Sequence, residues 1–450
     1  MARGKLRPLI LLTLLVIGLV PASQALAEKR AVVWKVATLA PKNVGWGQQV
    51  QSLVVPWIRD STNDELKLKI YWGGVMGNDN EYLQKMKIGQ LQGAGISGAG
   101  ANLACPELSV LGLPFLIRNY QEVDYLRTMM FATFDYYFDQ RGYKMLMWMD
   151  QDFDQLYSTR FPMNTLEDFK RCRFQNWYGP LEAATVKALG GQPIVTTVIE
   201  GHSAFKSGVI DTAFAPAVYY AGSQLFQVMK YVNPLNIRYA PALIVITEKE
   251  WSALPEEYQD NLDSARGKVQ AAFVKGIRDE NKRALEGMIK YGIKHTEFAA
   301  ETRAEAMRRT RPVWDQLAGK LYPRSLLEEV LKYLESFRAG KAIKTPRFKA
   351  GASTGAKPPV PVASPAAVQP VPAAKGGDSD TSELSAWEKR KIQVRKVQEK
   401  LAAMGYYKSD IDGVFGPITQ EAILDYQEAK GLIESGAIDR RLLRSMGIAN

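Results

Sequence analysis

Hydrophobic positions along this chain switch repeatedly between a period of two and a period near 3.6. Residues 32–39 are rich in β-branched and aromatic side chains and predict a strand. Residues 46–62 predict a helix. Leu66, Leu68, Ile70 and Trp72 fall on one face of a second, half-buried strand. Residues 81–88 predict a helix stopped by Gly89, and residues 93–97 a short strand of small residues that lets another group approach the backbone. Further strands are expected at 145–149, 156–158, 172–175, 210–214 and 243–246, with helices filling most gaps. From Pro255 to about Arg338 the pattern is helical, interrupted near 292–298 and 322–323. Strand and helix patterns alternating in this way argue an α/β architecture.

Both periods vanish over residues 349–383, which hold Pro, Ala, Gly, Ser and Val and no aromatic residue. Such a segment buries too little surface to offset its ordering entropy. In extended polyproline geometry, at ~3.1 Å per residue, it reaches on the order of 100 Å. It divides the chain into a large domain, 31–345, a linker, 346–385, and a small domain, 386–450. The start reads as a leader over residues 1–27: Arg3, Lys5 and Arg7, an apolar run over 9–20 too short for a comfortable membrane span, and the small-x-small pattern Ala25-Leu26-Ala27. The mature protein is therefore expected outside the cytoplasm, in the periplasm.

Composition adds limits. The 450 residues suit two or three domains, and 46% apolar with 23% charged content is ordinary for a globular protein. The formal charge is +11, or +8 once the three basic residues of the leader are removed. Basic residues are scattered among acids without aromatic-interleaved motifs, so no nucleic-acid partner is expected. With two histidines, His202 and His295, and two cysteines, Cys105 and Cys172, neither a Ser-His-acid arrangement nor a zinc cluster can be assembled. Asp150, Asp152 and Asp154 alternate but lack the glycine and distal glutamate of a calcium loop, and read as a solvated turn. No enzymatic activity, cofactor or metal is expected.

Several motifs occur in a telling order. Trp34-Lys35-Val36-Ala37-Thr38-Leu39-Ala40-Pro41 opens the large domain, with Trp46 starting the first helix. Met76-Gly77-Asn78-Asp79-Asn80-Glu81, then Lys87-Ile88-Gly89-Gln90-Leu91-Gln92-Gly93-Ala94, then Cys105-Pro106-Glu107-Leu108 through Leu113-Pro114-Phe115 follow. Leu166-Glu167-Asp168-Phe169-Lys170-Arg171-Cys172-Arg173-Phe174, Ala188-Leu189-Gly190-Gly191, Ser207-Gly208-Val209-Ile210-Asp211 and Trp251-Ser252-Ala253-Leu254-Pro255 complete the set. This succession, over about 31–340, resembles the solute-binding proteins of TRAP transporters (the DctP-type family). The resemblance implies a two-lobe periplasmic binding protein of the Venus-flytrap kind with an interlobe cleft. It also implies a partner, a TRAP-type membrane permease driven by an ion gradient.

In that family the arginine of the strand entry grips a ligand carboxylate, and the matching residue here is Arg173. A guanidinium fork meets a carboxylate through two parallel hydrogen bonds. Its alternative duty is to hold a neighbouring acid. Asn176 matches a polar ligand contact of some members, and Ser97 stands where some place an acidic one. Phe214 and Ala215 end a strand where many members carry polar residues. With Trp46 and Trp177 nearby, the expected cargo is an organic acid with a sizeable apolar body. Cys105 and Cys172 fall in different lobes, and whether they pair is left open.

In the small domain Val394, Val397, Leu401 and Met404 form one helical stripe, Gly405 ends it, Thr419 caps a second helix bearing Ala422, Ile423 and Tyr426, and Leu442, Leu443 and Met446 suit a third. This resembles the three-helix peptidoglycan-binding domain, which implies association with the cell wall. Two other readings stay open: a cell-wall enzyme with such a module, and a carrier of a neutral apolar metabolite.

Overall fold

The computed structural model describes residues 32–196, 198–340, 386–415, 417–432, 434 and 436–448. The expected leader, 1–27, and the expected linker, 346–385, lie outside the described residues.

Lobe 1 begins with β1 (Val32–Thr38), α1 (Gly45–Gln49), a π-helical turn over Val50–Val54 and α2 (Val55–Ser61). Pro56 has no N–H to give to the preceding turn, and the wider turn ahead of it absorbs that missing bond. Then come β2 (Leu66–Tyr71), α3 (Asp79–Lys87), β3 (Gly93–Ile96), α4 (Gly98–Ala104), α5 (Tyr120–Asp139) and β4 (Tyr143–Phe153). Asn78 and Glu81 close a reciprocal capping box at the start of α3.

Lobe 2 follows with β5 (Gln155–Ser158), β6 (Arg173–Asn176), α6 (Pro180–Ala188), β7 (Gln192–Val195), α7 (Val198–Ser207), β8 (Thr212–Ala215), α8 (Ala217–Gly222) and β9 (Tyr231–Asn233). The chain returns to lobe 1 through β10 (Tyr239–Thr247) and α9 (Glu248–Ser252). Next is α10 (Glu256–Tyr291), 36 residues and about 54 Å long, which packs on β4 and α2 of lobe 1 and on α8 of lobe 2. β11 (Lys294–His295), α11 (Ala300–Leu317) and α12 (Arg324–Arg338) finish the large domain.

Lobe 1 carries a five-stranded sheet in the order β2-β1-β3-β10-β4, and lobe 2 a six-stranded sheet in the order β11-β9-β5-β8-β6-β7. The lobes join where β4 runs into β5 and β9 into β10. Apolar side chains cover both faces of each sheet, in lobe 1 around Trp34 and Phe273 on one side and Leu126 and Tyr239 on the other. Lobe 2 does the same around Phe174 and around Tyr220. The expected strands are all present. The sequence pattern missed β7, β9 and β11, which are four, three and two residues long, too short for a period to show.

Among the described residues the small domain has three helices, α13 (Ala386–Ala403), α14 (Pro417–Ala429) and α15 (Arg440–Ser445). Val394, Val397 and Leu401 are buried as expected, and Gly405 takes a φ of +83° at the end of α13. Met404 is exposed instead. Thr419 is no cap: it lies inside α14, buried, with its hydroxyl bonded by the Gln398 amide at 3.1 Å. The domain rests on lobe 1. Arg441 pairs with Asp260 at 2.7 Å, Arg444 with Glu256 at 2.9 Å, and Arg440 with Glu248.

Candidate ligand site between the lobes

Ligands of α/β proteins gather at the carboxyl ends of parallel strands. β1 is parallel to β2 and β3, and β6 is parallel to β7 and β8. The carboxyl ends of these two groups bring the lobes into contact. A Cβ added to Gly98, at the start of α4, would lie 2.2 Å from the Tyr178 hydroxyl just beyond β6. A Cβ added to Gly45 would lie 3.5 Å from Val218 of α8. Asn281 of α10 accepts from the Val218 N–H at 2.9 Å and donates to the Gln151 carbonyl at 3.4 Å, and so ties the helix to both lobes.

The wall of lobe 2 is unusual in its polar atoms. Gln175, Asn176 and Tyr178 are all buried, yet Gln175 Nε2, Asn176 Oδ1 and the Tyr178 hydroxyl have no hydrogen-bond partner. Gln175 Nε2 lies beside Gly201, whose missing side chain leaves room for the amide, and the Tyr219 hydroxyl is close by. A buried orphan polar atom costs about 1–3 kcal/mol. Three on one strand end mark a place where a ligand or water supplies the missing bonds.

Aromatic faces flank them. Trp177 donates its indole N–H to the Phe214 carbonyl at 3.0 Å and stacks on Tyr219 with centroids 6.2 Å apart. In lobe 1, Trp46 donates to the Asp150 carbonyl at 3.1 Å and meets Phe273 edge-on at 5.1 Å. Both indoles are half-buried, so each is fixed by its N–H while its face stays partly open.

Nearby guanidinium groups are committed. Arg238 is buried, lies 3.8 Å over the Tyr178 ring and pairs with Asp154 at 2.5 Å and Glu182 at 2.8 Å. Burial pushes both acids up, and Arg238 works against that. Arg127 and Arg278 share Asp150 and Asp124.

Of the expected contacts, Asn176, Trp46 and Trp177 lie at the cleft walls. The side chains of the other four are engaged within their own lobes. Arg173 stands at the entry of β6, the end away from the cleft, with its side chain 44% exposed and its Nε 3.1 Å from Asp211. Two residues of strand, ~7 Å, separate it from Gln175. Ser97 caps α4, and its hydroxyl donates to Asp79 at 2.5 Å. Burial raises Asp79 to about 6 despite those bonds. Phe214 is fully buried against Phe174, with centroids 4.6 Å apart. Ala215 is in the core beside Tyr220. Gln175 was overlooked because it has no charge, although the direction of the strand already put position 175 nearer the cleft.

The expected solvated turn at 150–154 is also wrong. Asp150, Asp152 and Asp154 are buried on the connecting strand. Each has a protein partner: Asp150 accepts from Tyr239 at 2.7 Å, Asp152 from Tyr120 at 2.6 Å, and Asp154 from Arg238. Among the described residues no group of three His, Cys, Asp or Glu could hold a metal ion. Cys105 and Cys172 are free thiols in separate cores. Burial pushes the Cys172 thiol up to about 12.

Comparison with known proteins agrees with this two-lobe architecture. The model of the bacterial extracellular solute-binding proteins, family 7, matches residues 37–320, and a peptidoglycan-binding domain model matches 390–446. The chain is similar to the 2,3-diketo-L-gulonate-binding periplasmic protein YiaO of Escherichia coli (strain K12). The two are 23% identical over 247 residues, covering 52% of this chain and 72% of that one. Among solved structures it shares the fold of the sugar acid binding protein DctPAm of Advenella mimigardefordensis, in complex with galactonate. The TM-score is 0.64 at 20% identity, covering 68% of this chain and 99% of that one. A TRAP periplasmic solute binding protein from Desulfovibrio salexigens with bound orotic acid gives a TM-score of 0.63 at 21% identity, with coverage of 68% and 99%.

Proposed function

This chain belongs to the bacterial extracellular solute-binding proteins of family 7, and we propose that it captures a small organic acid with a ring or apolar body between its two lobes. The observation that carries this reading is the row of unpartnered buried atoms on Gln175, Asn176 and Tyr178. They supply an N–H donor, an acceptor and a hydroxyl on one wall, and the Trp177 and Trp46 faces supply apolar surface. Relatives that bind sugar acids, and one that binds the flat acid orotate, support the substrate class.

In this reading the carboxylate is held by neutral donors, not by an arginine fork. Closure excludes water, which strengthens each such hydrogen bond. The loaded protein then docks on TRAP-type permease subunits in the membrane. The peptidoglycan-binding domain holds the binder at the cell wall in the periplasm and raises its concentration near the permease. No bond of the cargo is made or broken.

The ion pairing of Arg127, Arg238 and Arg278 favours a second reading, in which the cargo is neutral. Native mass spectrometry of the purified protein separates the two by identifying the co-purified molecule. Isothermal titration with that molecule should then show Gln175→Leu weakening binding at least ten-fold, about 1.4 kcal/mol. An unchanged affinity would remove Gln175 from the site.

A further inference from the structure

The seam between the small domain and lobe 1 holds a cavity of about 270 Å³. Thr133 of α5, Ser325, Glu329 and Lys332 of α12, and Arg390 and Phe415 of the small domain line it. Arg390 is 5% exposed, and its guanidinium sits 5.8 Å over Tyr136 and 6.0 Å over Phe415. Nη1 donates to Gln393 at 2.6 Å, while Nε and Nη2 have no partner.

An arginine cannot escape burial by losing its proton. It needs a counter-charge, and breaking or omitting one is costly. No described carboxylate comes within ion-pair distance of Arg390. Glu329, which lines the same cavity, accepts from the Tyr333 hydroxyl at 3.2 Å instead, and burial pushes it up to about 7. The cavity has room for several waters or for a carboxylate on a short chain. Its charged lining, Glu328, Glu329, Lys332, Arg390 and Lys391, has one positive charge in excess and so suits an anion.

We infer that this seam is a carboxylate-binding site, in which an anion bridges Arg390 of the small domain to the α5 and α12 wall of lobe 1. The Nε and Nη2 edge of Arg390 would take the two carboxylate oxygens in parallel, and Lys332 would add its charge. An anion bound there fastens the peptidoglycan-binding domain to the solute-binding domain. Its source is a free organic acid or a carboxylate of a wall peptide, and the guanidinium reads the same group in both.

The test is isothermal titration of the mature full-length chain with malonate, with a muramyl tripeptide and with inorganic phosphate. Wild type should bind malonate or the tripeptide at a site that Arg390→Gln weakens at least ten-fold. Binding of the cleft cargo should stay unchanged. Lys332→Gln, on the other wall, should weaken the same event several-fold without touching the small domain. A response to the tripeptide alone names the wall as the source, and a response to malonate names a free acid. The proposal is overturned if neither probe binds in an Arg390-sensitive way, or if phosphate binds more tightly than both.

Discussion

Asp211 is fully buried, and its carboxylate is satisfied by the Arg173 N–H at 2.9 Å, Arg173 Nε at 3.1 Å, Arg160 at 3.2 Å and the Thr212 hydroxyl at 3.0 Å. Two arginines and two local donors share the work, so losing one guanidinium leaves the acid paired. Arg173→Ala should therefore lower stability by only ~1 kcal/mol in urea titration, as expected for a half-exposed partner of a carboxylate that stays bonded. Cargo affinity should change less than two-fold. A ten-fold loss of affinity would return Arg173 to the ligand site. The motif around Arg173 was legible in the sequence. The direction in which its side chain leaves the strand was not, because that depends on where Asp211 comes to lie.

The connecting strand carries two register shifts against β10, opposite Ala240/Pro241 and opposite Ile244/Val245. Pro241 sits in β10, between β3 and β4, where a missing N–H is tolerated only at an irregularity. Ala240 pairs with Asp152 and Pro241 with Asp150, so Gln151 is the extra residue. Its side chain accepts from the Gly98 N–H at 3.0 Å at the cleft. Asp152 takes a φ of +123°, which only glycine adopts freely, and the Tyr120 and Phe153 donors hold it there. Burial pushes Asp152 from 3.8 to about 7. The folded state therefore holds a proton that the unfolded chain releases. The resulting stability is full below about pH 4 and lost as pH rises through about 7. Asp152→Asn keeps the acceptor oxygen and removes the charge. Its urea stability should fall less than wild type between pH 4 and 8 and exceed it at pH 8 by at least ~1 kcal/mol. Parallel pH curves would show that Asp152 titrates normally.

At the scale of the molecule, the small domain is held to lobe 1 by α15. Arg440, Arg441 and Arg444 face Glu248, Asp260 and Glu256, with arginine side chains 20–49% exposed. Such pairs contribute about 0.2–1 kcal/mol each and are screened by salt. The dock is therefore weak enough to open. Replacing all three arginines by glutamate should raise the radius of gyration in solution scattering, while cargo affinity stays within two-fold. A compact triple variant would mean that apolar contacts such as those of Phe415 hold the domain unaided.

Element type and the α/β alternation were legible from the chain alone, because periodicity and turn residues act over a few neighbours. The long helical stretch after Pro255 and the glycine that ends α13 are examples. Family membership was legible too, since motif order survives at 23% identity. The site was only partly so. Trp46, Asn176 and Trp177 are set by their positions at strand and helix ends. The side-chain surroundings of Arg173, Ser97 and Phe214 were not legible, because a side chain's partner is chosen by distant segments: Asp211 for Arg173, Asp79 for Ser97, Phe174 for Phe214. Which buried charges cancel, and which polar atoms remain for a ligand, is decided only when those segments meet.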